Sequence, residues 1–437
     1  MNNHAPLESR PRAPKRVAVI GAGISGMTAA YHLSDRYTVT LFETEPRLGG
    51  HARTVIAGRN GDQPVDTGFI VFNHANYPNL TRLFNDLDVP IAPSNMSFAA
   101  SFHHRRIEYG LRNVRALFAQ PRHMVHPQFL RMIRDILRFN TWAKKYAVDP
   151  TITLGALLDQ MRLGRWFRDY YLTPISGAIW STPKNQIMDF PAHALVQFFR
   201  NHNLLQISGQ HKWWTVKGGS IEYVTRLERA MRTRGVDIHL STTIDGVRRT
   251  THGVEVSHTS RGERFDAVVF ATHSDVTLGL LADATPTEHA ALGAIRYQSN
   301  DAVLHADPRV MPRRRTTWSS WNYIERDEPS RHGPIALTYW MNCLQPIPKD
   351  DPLFVTLNSH TAIEDRLIYD TTTFRHPVYD LGVMAAQDTI RRINGQNATW
   401  FCGAWMKNGF HEDGYASALD VVTGMTAHDQ EKVAQTT

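Results

Sequence analysis

Cysteine is nearly missing from this chain: Cys343 and Cys402 are the only two in 437 residues. That is too few for a disulfide framework or a thiolate metal site. Long apolar runs are missing as well, since none approaches the roughly 20 residues needed to cross a bilayer. The opening stretch "MNNHAPLESRPRAPKR" has no apolar segment of the kind a secretory signal requires, and residues 1–15 read as disordered. "HEDG" at 411–414 lacks the second histidine of a zinc-binding HExxH, so no metal is expected. There is no internal repeat and no low-complexity tract. These absences leave an ordinary cytoplasmic protein whose length suffices for two or three domain-sized cores.

Acidic residues are scarce in one place. Between Arg105 and Lys145 ten Lys/Arg face only Glu108 and Asp135, leaving 38 of the 48 basic and 39 of the 41 acidic residues for the rest. The formal net charge of +7 is therefore concentrated in one stretch. Within it, "QFLRMIRDILRFNTWAKKY" (128–146) has helical periodicity. At 100° per residue Arg131, Arg134, Arg138 and Lys145 fall within about 60° of one another. Phe129, Leu130, Met132, Ile133, Ile136, Leu137 and Ala143 occupy the opposite arc. Such a helix suits an anionic membrane surface, at the inner face of the cytoplasmic membrane. It also fits a domain-packed helix with a solvated charged face. Nucleic acid is not expected, because aromatics are not interleaved with the basic run and no recognition motif accompanies it.

Glycine carries the chemistry. "RVAVIGAGISGMTAAYHLSDRYTVTLFE" reads as strand, helix and strand, with Gly21, Gly23 and Gly26 spaced as GxGxxG at the turn. The first glycine permits the tight turn, the second lets backbone approach a pyrophosphate, and the third allows close packing of helix on strand. Ile24 and Ser25 open the helix whose N–H groups would face that pyrophosphate. Glu43 ends the second strand 22 residues after Gly21, where a carboxylate can accept from ribose hydroxyls. Thr44 follows it. A second GxGxxG unit is absent, so no nicotinamide domain is evident.

After Glu43 the chain does not enter another βα unit but runs "EPRLGGHART" and then "PVDTGFIVF". Here it resembles the flavin-containing amine oxidase superfamily, which includes protoporphyrinogen oxidases and phytoene desaturases and carries an RxGGxxxT motif at this point. The resemblance continues through "VKGGSIEYVTRLERAM", "STTIDGV", "AVVFAT" and "FCGAWMKNGFHEDGYASALDVV". It implies an α/β fold: a Rossmann-type FAD-binding domain built from 16–89, 216–277 and 381–425, with a short tail at 426–437. A mixed α+β substrate domain would be inserted as 90–215 and 278–380. It further implies FAD contacts at Arg47, Gly49, Gly50, His51, Arg53 and Thr54, and at Asp66, Thr67, Gly68 and Phe69. Ile244 and Val247 would touch adenine, and Ala271 and Thr272 would return the chain to the flavin. Gly403, Gly414 and Tyr415 belong to the closing motif. Where many members have an acid after the strand-end glycine, this chain has Ala404, and Glu412 or Asp413 would make the ribityl contact. Cys402 does not match a flavin-tethering motif, which implies non-covalent FAD.

The inserted segments are rich in aromatic and aliphatic residues rather than paired carboxylates. "TYWMNCLQPIP" places Tyr339 and Met341 on one face of an expected strand, with Trp340 and Asn342 on the other. Tyr339, Asn342 and His411 are the candidate groups at the reaction centre. Within the superfamily the chain resembles a bacterial branch through "DTGFIVFNHANYPNL", "AIWSTP", "FFRNHNLL", "WWTVKGGS", "TYWMNCLQ" and "GFHEDG". Members of that branch are often encoded beside cyclopropane-fatty-acid-synthase-like methyltransferases. This implies an unsaturated or methyl-branched fatty acyl chain of a phospholipid as substrate, desaturated or isomerised, with such a methyltransferase as partner. An amine or porphyrinogen oxidase of the same fold, or a flavin-bound scaffold for a lipid methyltransferase, are the alternatives.

Overall fold

The computed structural model describes residues 14–102, 106–180, 184–206, 211–259, 261–325 and 335–436. The expected disordered leader lies outside these but for its last two residues. One side of the molecule is organised by a five-stranded sheet in the order Asp237–His239, Thr38–Phe42, Arg16–Ile20, Ala267–Phe270 and Thr399–Phe401. Every neighbouring pair is parallel. Parallel strands are covered on both faces, which is why they are short continuous apolar runs. Val17 and Val19 point to a core shared with the helices Ile24–Leu33, Ile221–Thr233 and His411–Thr436. Ala18 and Ile20 point the other way, to a core shared with Val247, Val254, Val256 and Phe265. Those last residues come from a three-stranded antiparallel sheet spanning Ile244–Thr250, Gly253–His258 and Arg261–Phe265.

The second side is a seven-stranded sheet in the order Ile368–Val378, Arg296–His305, Phe354–Leu357, Leu337–Trp340, Trp321–Ile324, Phe98–Phe102 and Ile107–Gly110. It is antiparallel except where Trp321–Ile324 runs parallel to Phe98–Phe102. A helical layer from Val114–Leu117 to Ala192–Asn201 is inserted after this sheet's edge strand. Its core is aromatic, with Phe129, Phe139, Phe167 and Phe199 fully buried.

The structure departs from the sequence reading in three places. Residues 426–436 are no separate tail, because the helix His411–Thr436 runs through them and Asp429 accepts from Lys15 and from Tyr37. The strand Trp213–Val216 pairs with both Val71–Phe72 and Ile91–Ser94, so a small sheet straddles the expected boundaries at 89/90 and 215/216. The strand carrying Tyr339 ends at Trp340, and Asn342 lies in the helical turn Met341–Leu344.

Candidate active site

Where the first strand ends, Gly21 turns with φ +97° and donates its N–H to the Phe42 carbonyl at 2.8 Å. A side chain at Gly26 would collide with the Gly21 carbonyl oxygen, so only glycine lets the helix start this close to the turn. At Gly23 a Cβ would meet nothing within 4 Å. That glycine therefore borders open space, as backbone that approaches a ligand must. Gly49 and Gly50, at φ +105° and +56°, form the second wall, and Gly49 bridges to Gly23. Arg47 shapes this wall from behind, reaching the carbonyls of Gly50, Leu48 and Ala52. The closing helix completes the cradle: a Cβ at Gly414 would lie 2.8 Å from Ile24 and 2.9 Å from Ser25. Two helix N-termini thus converge beside Gly23, and their unpaired N–H groups suit a pyrophosphate.

Several expected cofactor contacts are instead engaged with the chain itself. Glu43 accepts from the Ala22 N–H at 2.7 Å and the Glu45 N–H at 2.9 Å, which holds its carboxylate at the rim of the turn. Arg53 forms a bidentate pair with Asp370 at 2.6 and 2.9 Å. Asp66 is fully buried and accepts from Thr54, from the backbone and hydroxyl of Ser220, and from Gln345. Asp66 and Thr54 are therefore framework, and burial pushes the Asp66 carboxyl up to about 6. Glu412 accepts from the backbone N–H groups of Asn79 and Leu80, so it caps the helix Pro78–Asp86 rather than meeting a ribityl chain. Asp413 accepts from the Phe410 N–H, and burial likewise pushes it up to about 6. Tyr415 contacts His32 through its hydroxyl at 2.9 Å. Val247 has no accessible surface and belongs to the core, whereas Ile244 retains a little at the start of its strand. Ala271 and Thr272 line the turn under Gly21, and Gly403 fits against the Trp405 indole, whose N–H reaches the Thr272 carbonyl. A side chain at Gly68 would strike the His51 carbonyl, and the Thr67 N–H donates to Arg53.

Beyond the glycine wall lies a chamber the sequence did not announce. His51 approaches Phe374 (4.9 Å), His376 (5.4 Å) and His273 (5.9 Å) between ring centroids. His273 stacks on Tyr297 at 4.3 Å, and His376 meets Asn300 at 2.9 Å. His411 stacks on Phe69 at 4.0 Å and contacts the Tyr223 hydroxyl at 2.6 Å. Enclosure by protein depresses all four imidazoles, to about 4 for His51 and His273 and to about 3 for His376 and His411. Each still keeps some accessible surface, so these rings line an interior space instead of filling it. All four are neutral at pH 7. The buried Nε2 of His51 has no hydrogen-bond partner among the described residues, which leaves a polar atom beside the glycine wall for a ligand to satisfy.

Of the three expected reaction-centre residues, only His411 stands in this chamber wall. Asn342 donates to the Pro348 and Asp351 carbonyls and accepts from the Leu353 N–H, so it is a loop clamp. Tyr339 packs edge-on against Trp321 at 5.1 Å, between two hydrophobic cores, and burial drives its phenol far up. His273, Tyr297 and His376 were missed because each is a lone residue that long-range pairing brings to the site.

Residues 24–340 match the family model described as flavin containing amine oxidoreductase, which is most of the chain. The chain belongs to the flavin-containing amine oxidoreductase family. Its cofactor is FAD, and the cradle suits it: open glycine backbone, paired helix N-termini, and an orphaned imidazole nitrogen beyond them. Cys402 offers no tether, since it is fully buried and its thiol is pushed up to about 12. Two curated relatives match short stretches. Coproporphyrinogen III oxidase of Mycobacterium tuberculosis (strain CDC 1551 / Oshkosh) is 46% identical over 63 residues, 14% of this chain and 13% of that one. Carotenoid phi-ring synthase of Chlorobaculum tepidum is 31% identical over 110 residues, 24% and 17%. Those stretches span well under a fifth of either relative. Solved structures align over nearly the whole chain. The CLA-producing fatty acid isomerase of P. acnes has a TM-score of 0.67 at 14% identity, covering 95% of this chain and 99% of its own. Cyclohexylamine oxidase of Brevibacterium oxydans IH-35A gives 0.66 at 14%, covering 94% and 100%. At these identities the likeness is one of fold.

Proposed function

We propose that this flavin-dependent oxidoreductase acts on an apolar chain, desaturating or isomerising an unsaturated or methyl-branched fatty acyl group of a phospholipid. The observation that carries the reading is the uncharged chamber wall of His51, His273, His376, His411, Phe69 and Phe374. A cationic amine entering an enclosed space needs a compensating charge. The nearby acid Asp275 is instead paired with Arg375, whose guanidinium lies 5.2 Å from the Tyr297 ring. That a fatty acid isomerase shares the whole fold is consistent with this reading and does not establish it.

Bound FAD supplies a two-electron acceptor for a hydride. The chain's own residues orient substrate, exclude water and manage the proton. Tyr223 is buried with its phenol held protonated well above the ordinary value, and its hydroxyl pairs with His411 Nε2; with the phenol as donor, the neutral ring carries its proton on Nδ1. Phe69 fixes the plane of that ring. His411 is thus an oriented neutral imidazole, able to pass a proton without carrying charge at rest. In the test, the flavoprotein is mixed anaerobically with methylated unsaturated phospholipid and the products are resolved by mass spectrometry. Bleaching of the flavin band, or a shifted double bond without net bleaching, is expected. Bleaching by primary amines or porphyrinogens with no change in the lipid would overturn the reading.

A further inference from the structure

Fourteen large apolar side chains are prominently exposed among the described residues, and nine of them fall between 111 and 148. They are Leu111, Val114, Met124, Val125, Leu130, Leu137, Trp142, Tyr146 and Val148, with Val114, Val125 and Val148 more than 70% exposed. The same segment holds eight Lys/Arg, all exposed, against the single acid Asp135. The basic helix Pro127–Tyr146 buries Phe129, Met132, Phe139 and Ala143 inward. Leu130 and Leu137, expected on its buried arc, stand in solvent at 41% and 44% exposure. They are seven residues apart, close to two full turns, and so form one stripe beside Arg134 and Lys145.

Part of the charge is accounted for. Asp135 is completely buried and faces Arg134 at 3.0 Å, Arg138 at 3.7 Å and Arg131 at 4.0 Å, and also accepts from the Gly164 N–H. Three guanidinium groups around one carboxylate leave a surplus of two, to which Arg112, Arg115, Arg122, Lys144 and Lys145 add. Isolated exposed apolar residues need no explanation, but nine in one basic segment do.

From this surface we infer that residues 111–148 form a docking face for a bilayer of anionic phospholipid. Charge selects the partner. A second copy of this chain would bring the same cations and be repelled, and a nucleic acid has no use for exposed Leu, Val and Met side chains. An anionic bilayer meets both features, taking cations at its headgroups and apolar side chains below them. The face also stands one helix away from the chamber. Phe139 of the basic helix packs on Phe199, while the adjacent Phe198 stacks on Phe410, the neighbour of His411. The inference does not depend on which substrate the enzyme takes.

The experiment uses the flavin-loaded protein and sucrose-loaded vesicles of phosphatidylcholine, with or without 30 mol% phosphatidylglycerol (about physiological anionic content). Co-sedimentation is expected with the anionic vesicles, weakening as salt is raised. Arg131, Arg134 and Arg138 are poor choices for mutation because they hold Asp135. Lys144→Gln with Lys145→Gln should lower partitioning on the order of tenfold at low salt. Leu130→Gln with Leu137→Gln should lower it by a similar factor with an unchanged flavin spectrum. No retention on anionic vesicles would overturn the assignment, as would retention indifferent to both double variants. So would a concentration-dependent dimer abolished by the leucine variant, or duplex DNA binding without vesicle binding.

Discussion

At the scale of single residues the chamber is governed by proton affinity. Four imidazoles there titrate well below the ordinary 6.5, because enclosure disfavours their charged form. The unfolded chain therefore binds more protons than the folded one between about 4 and 6.5, and stability must rise with pH across that window. Asp66 and Asp413 act in the opposite sense. Their carboxyls are raised from 3.8 to about 6, so their contribution is greatest at low pH and is lost as pH climbs towards 6. Four imidazoles displaced by two units or more outweigh two carboxyls. The melting temperature should accordingly increase by at least about 5 °C from pH 4.5 to 7, and a flat or falling profile by calorimetry would contradict a neutral histidine wall. His411→Phe separates structure from chemistry at one of these positions. The phenyl ring retains the stack on Phe69 but leaves the Tyr223 hydroxyl without its acceptor, at a cost of about 1–3 kcal/mol. Flavin binding should survive while turnover falls on the order of 100-fold. A Tyr223→Phe variant, which keeps the imidazole, should lose much less. Equal losses in the two variants would reduce His411 to packing.

Among elements, the strand–turn–helix at the front of the chain makes the sharpest demand on sequence. Gly23 and Gly26 sit in one motif but fail differently. Any side chain at Gly26 strikes the Gly21 carbonyl, whereas one at Gly23 enters open space. Gly23→Val should therefore give a protein with normal circular dichroism whose FAD affinity is at least about tenfold weaker, seen as a reduced ratio of flavin to protein absorbance. Gly26→Val should fail to accumulate folded protein. If Gly23→Val purified with a full complement of flavin, the cradle would have been misplaced. This element was legible in the sequence because everything defining it is local: two apolar runs, a glycine turn and an acid at the second strand's end. What escaped sequence reading depends on partners far along the chain. Glu412 looked like a flavin ligand until Asn79, 333 residues earlier, appeared as the helix terminus it caps. Asp66 looked the same until Gln345, 279 residues later, took its carboxylate. The basic helix shows the same limit in another form. Its periodicity gave the helix and its inner stripe, but Leu130 and Leu137 were set inside when the structure leaves them out. Periodicity shows that one face is apolar and not how wide the neighbouring element is that must cover it.

For the molecule as a whole, the cofactor side is assembled from pieces on both flanks of the inserted segments, so neither side can be cut out as a continuous chain. The two sides are joined by polar ties, one of them buried, as well as by apolar contact. Asp66 and Gln345 exchange two hydrogen bonds of 2.9 Å, Asp66 N–H to the Gln345 carbonyl and Gln345 amide to the Asp66 carboxylate. Arg53 and Asp370 make a second tie from the glycine wall to the edge strand of the large sheet. Removing the Gln345 side chain strips a buried N–H and one oxygen of the Asp66 carboxylate of their partner at once, while Thr54 and Ser220 keep the other oxygen, a defect of at least about 2 kcal/mol. Because Asp66 ends the strand that runs straight into the loop carrying Phe69, loss of the fold and loss of the cofactor should be one event. Gln345→Ala is expected to lower the melting temperature by several degrees, with flavin release and loss of helical ellipticity shifting together along one transition. Flavin fluorescence that rises well before the ellipticity falls would show instead that the cofactor side opens alone, and that the buried pair does not couple the two sheets.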